Sequence, residues 1–305
     1  MYQRPGGYSD FESPRVGLLA FALDYVHKTN FVEQASPIYN FKQGQPLDRV
    51  ERWQTVLLQI YLSALLSIQR GKGLTDRAFE VLRESVRLGM TEAEKEVLLP
   101  VVRVREELSR NDDEFEVEDF GAGSRHHKGA RTISAIYRTS AIPHWWGVFL
   151  FRLVRGLRPQ RVLELGTNMG VSAAYIQTAL DLNGSGGKLV TIEGDTGLAE
   201  LAGRNLAKVS SSAVDIVAGR FQDVLVPTLQ RFQPVDMIFI DGHHAYDAVL
   251  NYYKTISEYT APENCIIFDD VYPWTLPVRR AWDKIVRSNT TGSVFDTAKF
   301  GILIQ

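Results

Sequence analysis

From residue 161 onward, short β-forming runs alternate with amphipathic helical segments, and this alternation constrains the fold more than any other feature of the chain. The runs are RVLELG, KLVTIEGD, VDIVAG, VDMIFID and CIIFDD, with segments such as 196–209 and 245–259 between them. Strands that alternate with helices imply parallel βαβ units, hence an α/β, doubly wound sheet. A further helix near 277–287 precedes GSVFDTA and FGILIQ, which are separated by little more than Lys299. That tail is expected to form a closing pair of strands, at least one of them antiparallel. In such sheets ligands bind outside the carboxyl ends of the strands, so every acidic residue that ends a strand becomes a candidate.

The first ~115 residues follow a helical pattern instead. Val50, Trp53, Val56, Leu57, Ile60, Tyr61, Ala64, Leu65 and Ile68 make one wide apolar stripe at i, i+3, i+4, i+7 spacing. Asp76 can cap a second helix carrying Ala78, Phe79, Leu82 and Val86. A third begins at Thr91 with Glu94 three residues on, a capping box. The acidic stretch SRNDDEFEVEDFGAGSR then reads as a junction, within which FEVEDF can form a short strand. The expected division is a helical N-terminal region over 1–115 and an α/β domain over 116–305. The helical region contains no metal or nucleotide pattern. It can serve as a packing or dimerisation layer, which makes a homodimer plausible, or as a lid or wall of a substrate pocket.

Composition narrows the partners. Thirty-four Lys and Arg against 36 Asp and Glu leave a formal charge of −2, with no basic excess for nucleic acid and no polybasic block for an anionic membrane. The single cysteine, Cys265, sits in the apolar run CIIF. It is expected to be a buried small hydrophobe, which excludes disulfide frameworks and Cys-based zinc sites and suits a reducing cytoplasm. The N-terminal VGLLAFAL is short for a secretory segment and has acidic neighbours, Asp10, Glu12 and Asp24. No stretch approaches the length of a membrane span.

VLELGTNMGVS places Glu164 and Gly166 at the end of the first strand of the α/β domain and Gly170 at the start of the next helix. Glycines there let the backbone turn tightly and approach a ligand, while the helix N-terminus presents free N–H groups. A dinucleotide fingerprint, G-x-G-x-x-G, needs its middle glycine where Asn168 stands. An ordinary βα turn is the bland reading. The pattern E-x-G-x-x-x-G resembles class I S-adenosylmethionine (SAM) methyltransferases, and TIEGD follows at the matching distance. The resemblance implies that Glu164, Gly166, Thr167, Gly170 and Ser172 contact the cofactor and that Glu193 accepts hydrogen bonds from both ribose hydroxyls. VAGRFQDVL resembles the segment bordering the adenine, which implicates Gly219 and Phe221, with Asp223 nearby.

FIDGHHAY ends the fourth strand and IIFDDVYPW the fifth, and these strands are expected to be neighbours. Asp241, Asp269 and Asp270 would then converge beside the methyl group. Three carboxylates that close repel unless protonated or bridged by a cation. All-oxygen ligation favours a hard ion, Mg²⁺ first, with Mn²⁺ or Ca²⁺ as alternatives. This set resembles the cation-dependent O-methyltransferases of the catechol, caffeoyl-CoA and macrolide-sugar type, over roughly 130–305. The family places its general base three residues beyond the first Asp, here His244. The resemblance implies SAM-dependent methyl transfer to a hydroxyl of a small molecule, whether a phenol, a sugar or a natural-product intermediate. Asp241 would serve cofactor, metal and catalysis together.

Blander readings stand beside these. Asp241 can cap the helix at 245–259, and His243 is a bystander of His244. The carboxylates can contact SAM or substrate without metal in an N- or O-methyltransferase, and a non-catalytic SAM-binding scaffold is a further possibility. The pair His126–His127 reads as a polar loop. Tyr272 and Trp274 can wall a substrate pocket, whereas Trp145 and Trp146 fit a core equally well.

Overall fold

A computed structural model describes residues 75–116, 131–272, 275–289 and 292–305, apart from residues 88 and 298. The apolar stripe at 50–68, the 125–131 histidine pair and Trp274 lie outside the described residues.

Among the described residues three helices come first: α1 (Asp76–Ser85), α2 (Glu92–Val97) and α3 (Leu99–Arg110). The cap of α1 is Thr75, whose hydroxyl accepts from the Ala78 amide at 3.2 Å. Asp76 is the first residue inside the helix instead. The capping box at Thr91 is formed, with Thr91 Oγ1 accepting from the Glu94 amide and the Glu94 carboxylate accepting from the Thr91 amide at 2.7 Å. The helix it opens breaks after Val97, and Pro100 stands in the first turn of α3, where a missing N–H costs nothing. A short antiparallel pair, β1 (Glu114–Phe115) with β2 (Arg131–Thr132), follows. Only the first residue of FEVEDF that lies in β1, Phe115, is in a strand; 117–120 are outside the described residues.

Helices α4 (Ile133–Ser140) and α5 (His144–Leu157) lead into a seven-stranded sheet. Its strands are β3 (Arg161–Leu165), β4 (Lys188–Glu193), β5 (Asp215–Ala218), β6 (Val235–Ile240), β7 (Thr260–Phe268), β8 (Ser293–Asp296) and β9 (Gly301–Ile304). They lie in the order β5-β4-β3-β6-β7-β9-β8. The first five are parallel, joined by α6 (Val171–Asn183), α7 (Thr196–Val209), α8 (Phe221–Phe232) and α9 (Tyr246–Ser257). After α10 (Leu276–Ser288), β9 inserts antiparallel between β7 and β8, so both closing strands are antiparallel to their neighbours. The reversal of strand order between β3 and β6 is the switch point at which such sheets take ligands.

Burial follows from this topology. Central parallel strands are covered on both faces and read as unbroken apolar runs. Leu163, Leu165, Ile238, Ile240, Ile266 and Phe268 pack under α8, α9 and α10, with Trp282 among them. On the other face Phe300 sits between the rings of Trp146 and Phe149 of α5 and Phe239 of β6. Trp145 and Trp146 are therefore core, at 6% and 2% exposure. Cys265 is a buried free thiol whose ionisation burial opposes.

The N-terminal helices are tied to this layer by one buried ion pair. Arg152 of α5 donates to Glu94 Oε1 at 2.7 Å and Oε2 at 3.0 Å, and also to the carbonyls of Arg87 and Gly89. A buried charge persists when its donors are engaged, and here four of the five guanidinium N–H groups have an acceptor. Burial works against the Glu94 carboxylate, but Arg152, the Thr91 amide and Arg87 outweigh it and hold its pKa at about 2. Among the described residues, no helix is long and apolar enough to cross a membrane.

Candidate active site

The first part of the site is a turn of backbone. At the end of β3 the amides of Gly166 and Thr167 both donate to the Ile192 carbonyl, and Gly170 closes the turn onto the Thr167 carbonyl at 2.8 Å. Gly166 has φ +100°. A Cβ there would lie 1.9 Å from the carbonyl oxygen of Asp241, so no other residue fits without moving the chain. The Asp241 amide in turn donates to the Leu165 carbonyl at 2.9 Å. The ends of β3 and β6 are thus locked in backbone contact. Gly170, at φ +79°, starts α6 and sets its free N–H groups at the same end of the sheet.

Two carboxylates frame that turn. Glu164 breaks the apolar run of β3 and is fully buried. Thr191 Oγ1 donates to its Oε2 at 2.6 Å, and Thr167 Oγ1 lies 2.6 Å from the Thr191 hydroxyl. Because Thr191 has a single hydrogen, Thr167 is the donor in that second bond. Burial raises Glu164 to about 8, against the hydroxyls of Ser172 and Thr191 that favour the charged form. Its Oε1 is buried without a hydrogen bond. Glu193 ends β4 and accepts from the amides of Asn168 at 2.7 Å and Asp195 at 3.0 Å. Burial raises its pKa despite those bonds. The Gly194 amide is a third donor to this carboxylate, and since a carboxylate has about four acceptor sites, room for a further donor remains. Gly219 donates to the Glu193 carbonyl at 2.8 Å, and a Cβ on it would meet Val224 at 2.6 Å. Phe221 opens α8, and its ring stands edge-on to Tyr252 at 5.5 Å and against Gly242. Asp223 is exposed in the first turn of α8. A glycine cradle, an orphaned buried oxygen and an acidic strand end with acceptor capacity to spare fit a nucleoside cofactor with a diol and an amino-acid tail.

The second part lies at the ends of β6 and β7. The N-cap of α9 is Ala245, with no side-chain cap bond, so Asp241 has no capping duty. His244 stands between two carboxylates: Nε2 is 3.6 Å from Asp241 Oδ1 and Nδ1 is 3.6 Å from Asp270 Oδ2. At these separations the pairs are electrostatic, beyond hydrogen-bond length, and Nε2 is buried without a bond. Burial alone would lower the His244 pKa. Asp241, Asp270 and Asp269 outweigh it and raise it to about 9. His243, with φ +51°, instead bonds Tyr252 through Nδ1 at 2.8 Å.

Sequence reasoning missed Lys299. It lies 5% exposed in the turn between β8 and β9, and its carbonyl accepts from the Val271 amide at 3.0 Å. Its ammonium touches Asp269 Oδ1 at 2.7 Å and Asp270 Oδ1 at 3.0 Å, with the Tyr272 ring 5.4 Å away. Burial would strip its proton, but the two carboxylates hold its pKa well above the ordinary lysine value. Burial likewise opposes the Asp270 carboxylate, yet Lys299 and His244 keep its pKa low. Asp269, wholly buried and beside Asp270 and Asp241, is pushed up against the pull of Lys299. The repulsion that called for a bridging metal is therefore met from within the chain. Among the described residues, no three His, Cys, Asp or Glu side chains are arranged to hold one metal ion. Asp241, Asp269 and Asp270 as placed do not fit the hard-cation site expected of them. The signal available was a single lysine between the two closing strand segments GSVFDTA and FGILIQ.

Residues 163–271 match a family described as a methyltransferase domain. A catechol O-methyltransferase of Niastella koreensis is 32% identical over 127 residues, covering 41% of this chain and 55% of that protein. One from Mycobacterium tuberculosis is 36% identical over 97 residues, covering 32% and 42%. The chain thus spans about half the length of these curated relatives. The SAH-bound Podospora anserina methyltransferase PaMTH1 shares the fold at a TM-score of 0.51 and 14% identity, over 72% of this chain and 97% of that one. The segment 163–271 thus matches a methyltransferase domain, and it lies within a Rossmann-like sheet whose fold that neighbour shares.

Proposed function

We propose that the chain is a SAM-dependent O-methyltransferase that acts on a hydroxyl of a small molecule, with catechol-type phenols as the first class to try. The observation that supports this most is the backbone contact between Gly166 and Asp241, which sets the acidic cluster directly beside the cofactor turn. The catechol O-methyltransferases among the relatives point to the same acceptor chemistry. In this reading the region 1–115 is a lid, a substrate wall or a dimerisation layer, and 116–305 is the methyltransferase domain. One buried free thiol, Cys265, suits a reducing compartment such as the cytoplasm.

SAM, when bound, supplies an electrophilic methyl group on a sulfonium. Gly166, Thr167, Gly170 and Glu164 would hold its amino-acid end, Glu193 its ribose, and Gly219 and Phe221 its base. A phenol with pKa near ~10 is a poor nucleophile at neutral pH. His244, in its neutral form, takes the hydroxyl proton as the O–CH₃ bond forms and the S–CH₃ bond breaks. Asp241 and Asp270 stabilise the resulting imidazolium from both sides. Positioning oxygen in line with the methyl group carries most of the remaining acceleration. No step here passes through a divalent ion, because the carboxylates are already engaged by Lys299 and His244.

Incubation with methyl-labelled SAM and a panel of catechols and sugars tests the reading, with label in product and SAH formation as the readout. Transfer to at least one hydroxyl, reduced at least ~100-fold in His244→Ala, is expected. Binding of SAM by calorimetry with no transfer to the panel or to a metabolite extract would make the chain a SAM-binding scaffold.

A further inference from the structure

Outside the cofactor turn, buried ionisable side chains in the described part of the molecule differ in what they face. Arg152–Glu94 closes on backbone carbonyls of its own region and leaves nothing open. His144 is buried against Tyr175 between α5 and α6, and burial depresses its pKa to about 3, so it stays neutral. Lys299 is different, because its carboxylate partners belong to the candidate active site.

Its placement is built in. Thr297 and Phe300 exchange hydrogen bonds that tighten the β8–β9 turn: the Thr297 amide donates to the Phe300 carbonyl, and the Phe300 amide to Thr297 Oγ1 at 2.7 Å. Because β9 pairs antiparallel with β7, Gly301 lies opposite Phe268, which puts the preceding turn beside Asp269 and Asp270. Phe300 locks into the aromatic core, so the neighbouring Lys299 is fixed in depth. The side chain reaches both Oδ1 atoms at contact distance. A divalent ion on this carboxylate pair would need the ammonium to leave, and a buried ammonium without its carboxylates is strongly disfavoured.

We propose that Lys299 is the resident cation of this site: its ammonium holds Asp269 and Asp270 in the place a divalent ion would take, and the enzyme works without one. Lys299 is thus a positioning residue. It fixes Asp270, which fixes His244 in turn. The proposal rests on the methyltransferase reading above.

The test uses the full chain, stripped with EDTA, and two probes. Binding of SAH by calorimetry reports on the methyltransferase reading, and Mn²⁺ binding by electron paramagnetic resonance reports on Lys299. In the wild type, SAH binds while no Mn²⁺ site tighter than about 1 mM is expected. Lys299→Ala is expected to gain one Mn²⁺ site at least ~10-fold tighter, lost again when Asp270→Asn is added. Lys299→Arg keeps the positive charge and is expected to gain none. One Mn²⁺ per wild-type chain, abolished by Asp270→Asn, overturns the proposal, as does a folded, SAH-binding Lys299→Ala that takes up no Mn²⁺. The wild-type measurement decides alone if the variants do not fold. Failure of the wild type to bind SAH sinks the methyltransferase reading instead, whatever Mn²⁺ does.

Discussion

The turn after β3 and the cluster at the ends of β6 and β7 form one site, yet they are held by different forces. The turn is fixed by backbone: a glycine at φ +100°, amides shared with Ile192, and a carbonyl where a Cβ would lie. The cluster is fixed by charge, with three carboxylates set against one lysine and one histidine. Backbone geometry tolerates no substitution but is indifferent to pH. A charge cluster tolerates small movements but responds to every proton gained or lost.

That contrast breaks most directly at Gly166. Gly166→Ala is expected to weaken SAH binding by at least ~100-fold, because the chain must open where β3 meets β6. Calorimetry checks this, and near-wild-type affinity would mean that the backbone contact is not what forms the cofactor cradle. Next, Arg152→Met leaves Glu94 buried without its main partner and is expected to cost about 3 kcal/mol of stability while SAH affinity holds. The sign of its pH dependence follows from the depressed Glu94 pKa of about 2. That stabilisation is fully present above about 4.5, the ordinary value, and is lost as pH falls through about 2. Denaturant melts of wild type and variant should therefore converge in acid; a gap that persists at low pH would assign the loss to packing. The smallest effect concerns rate. With His244 raised to about 9, its base form is scarce at neutral pH, so kcat/KM should climb roughly tenfold per unit until pH nears that value. In Asp270→Asn the climb should end at lower pH, since one carboxylate that raises His244 is gone. An unshifted profile would remove His244 as the base.

The backbone half of the site was legible because its signals are local. Unbroken apolar runs mark buried parallel strands, and the glycine that closes RVLELG marks the turn. Even so, the α1 cap was misplaced by one residue, since Thr75 and Asp76 carry equally good capping side chains and only φ and ψ separate them. The charge half was legible only in its acids. Asp241, Asp269 and Asp270 end strands, where position alone flags them. Their cations do not share that grammar. Lys299 follows Asp269 by thirty residues and reaches it only because β9 inserts between β7 and β8, a register that apolar patterning does not specify. Repulsion among the three acids was the right inference; the identity of the compensating charge required the tertiary fold.

The claim that turn and cluster are one site is tested most directly by histidine-selective NMR titration of His244 with and without SAM. Six histidines make the signals few, and His244→Gln assigns the one of interest. The structure predicts a pKa near 9 in the free chain, falling by at least ~1 unit when a cationic cofactor settles beside Asp241 and competes for its charge. A His244 that titrates near ~6.5, or one whose titration ignores bound SAM, would contradict it.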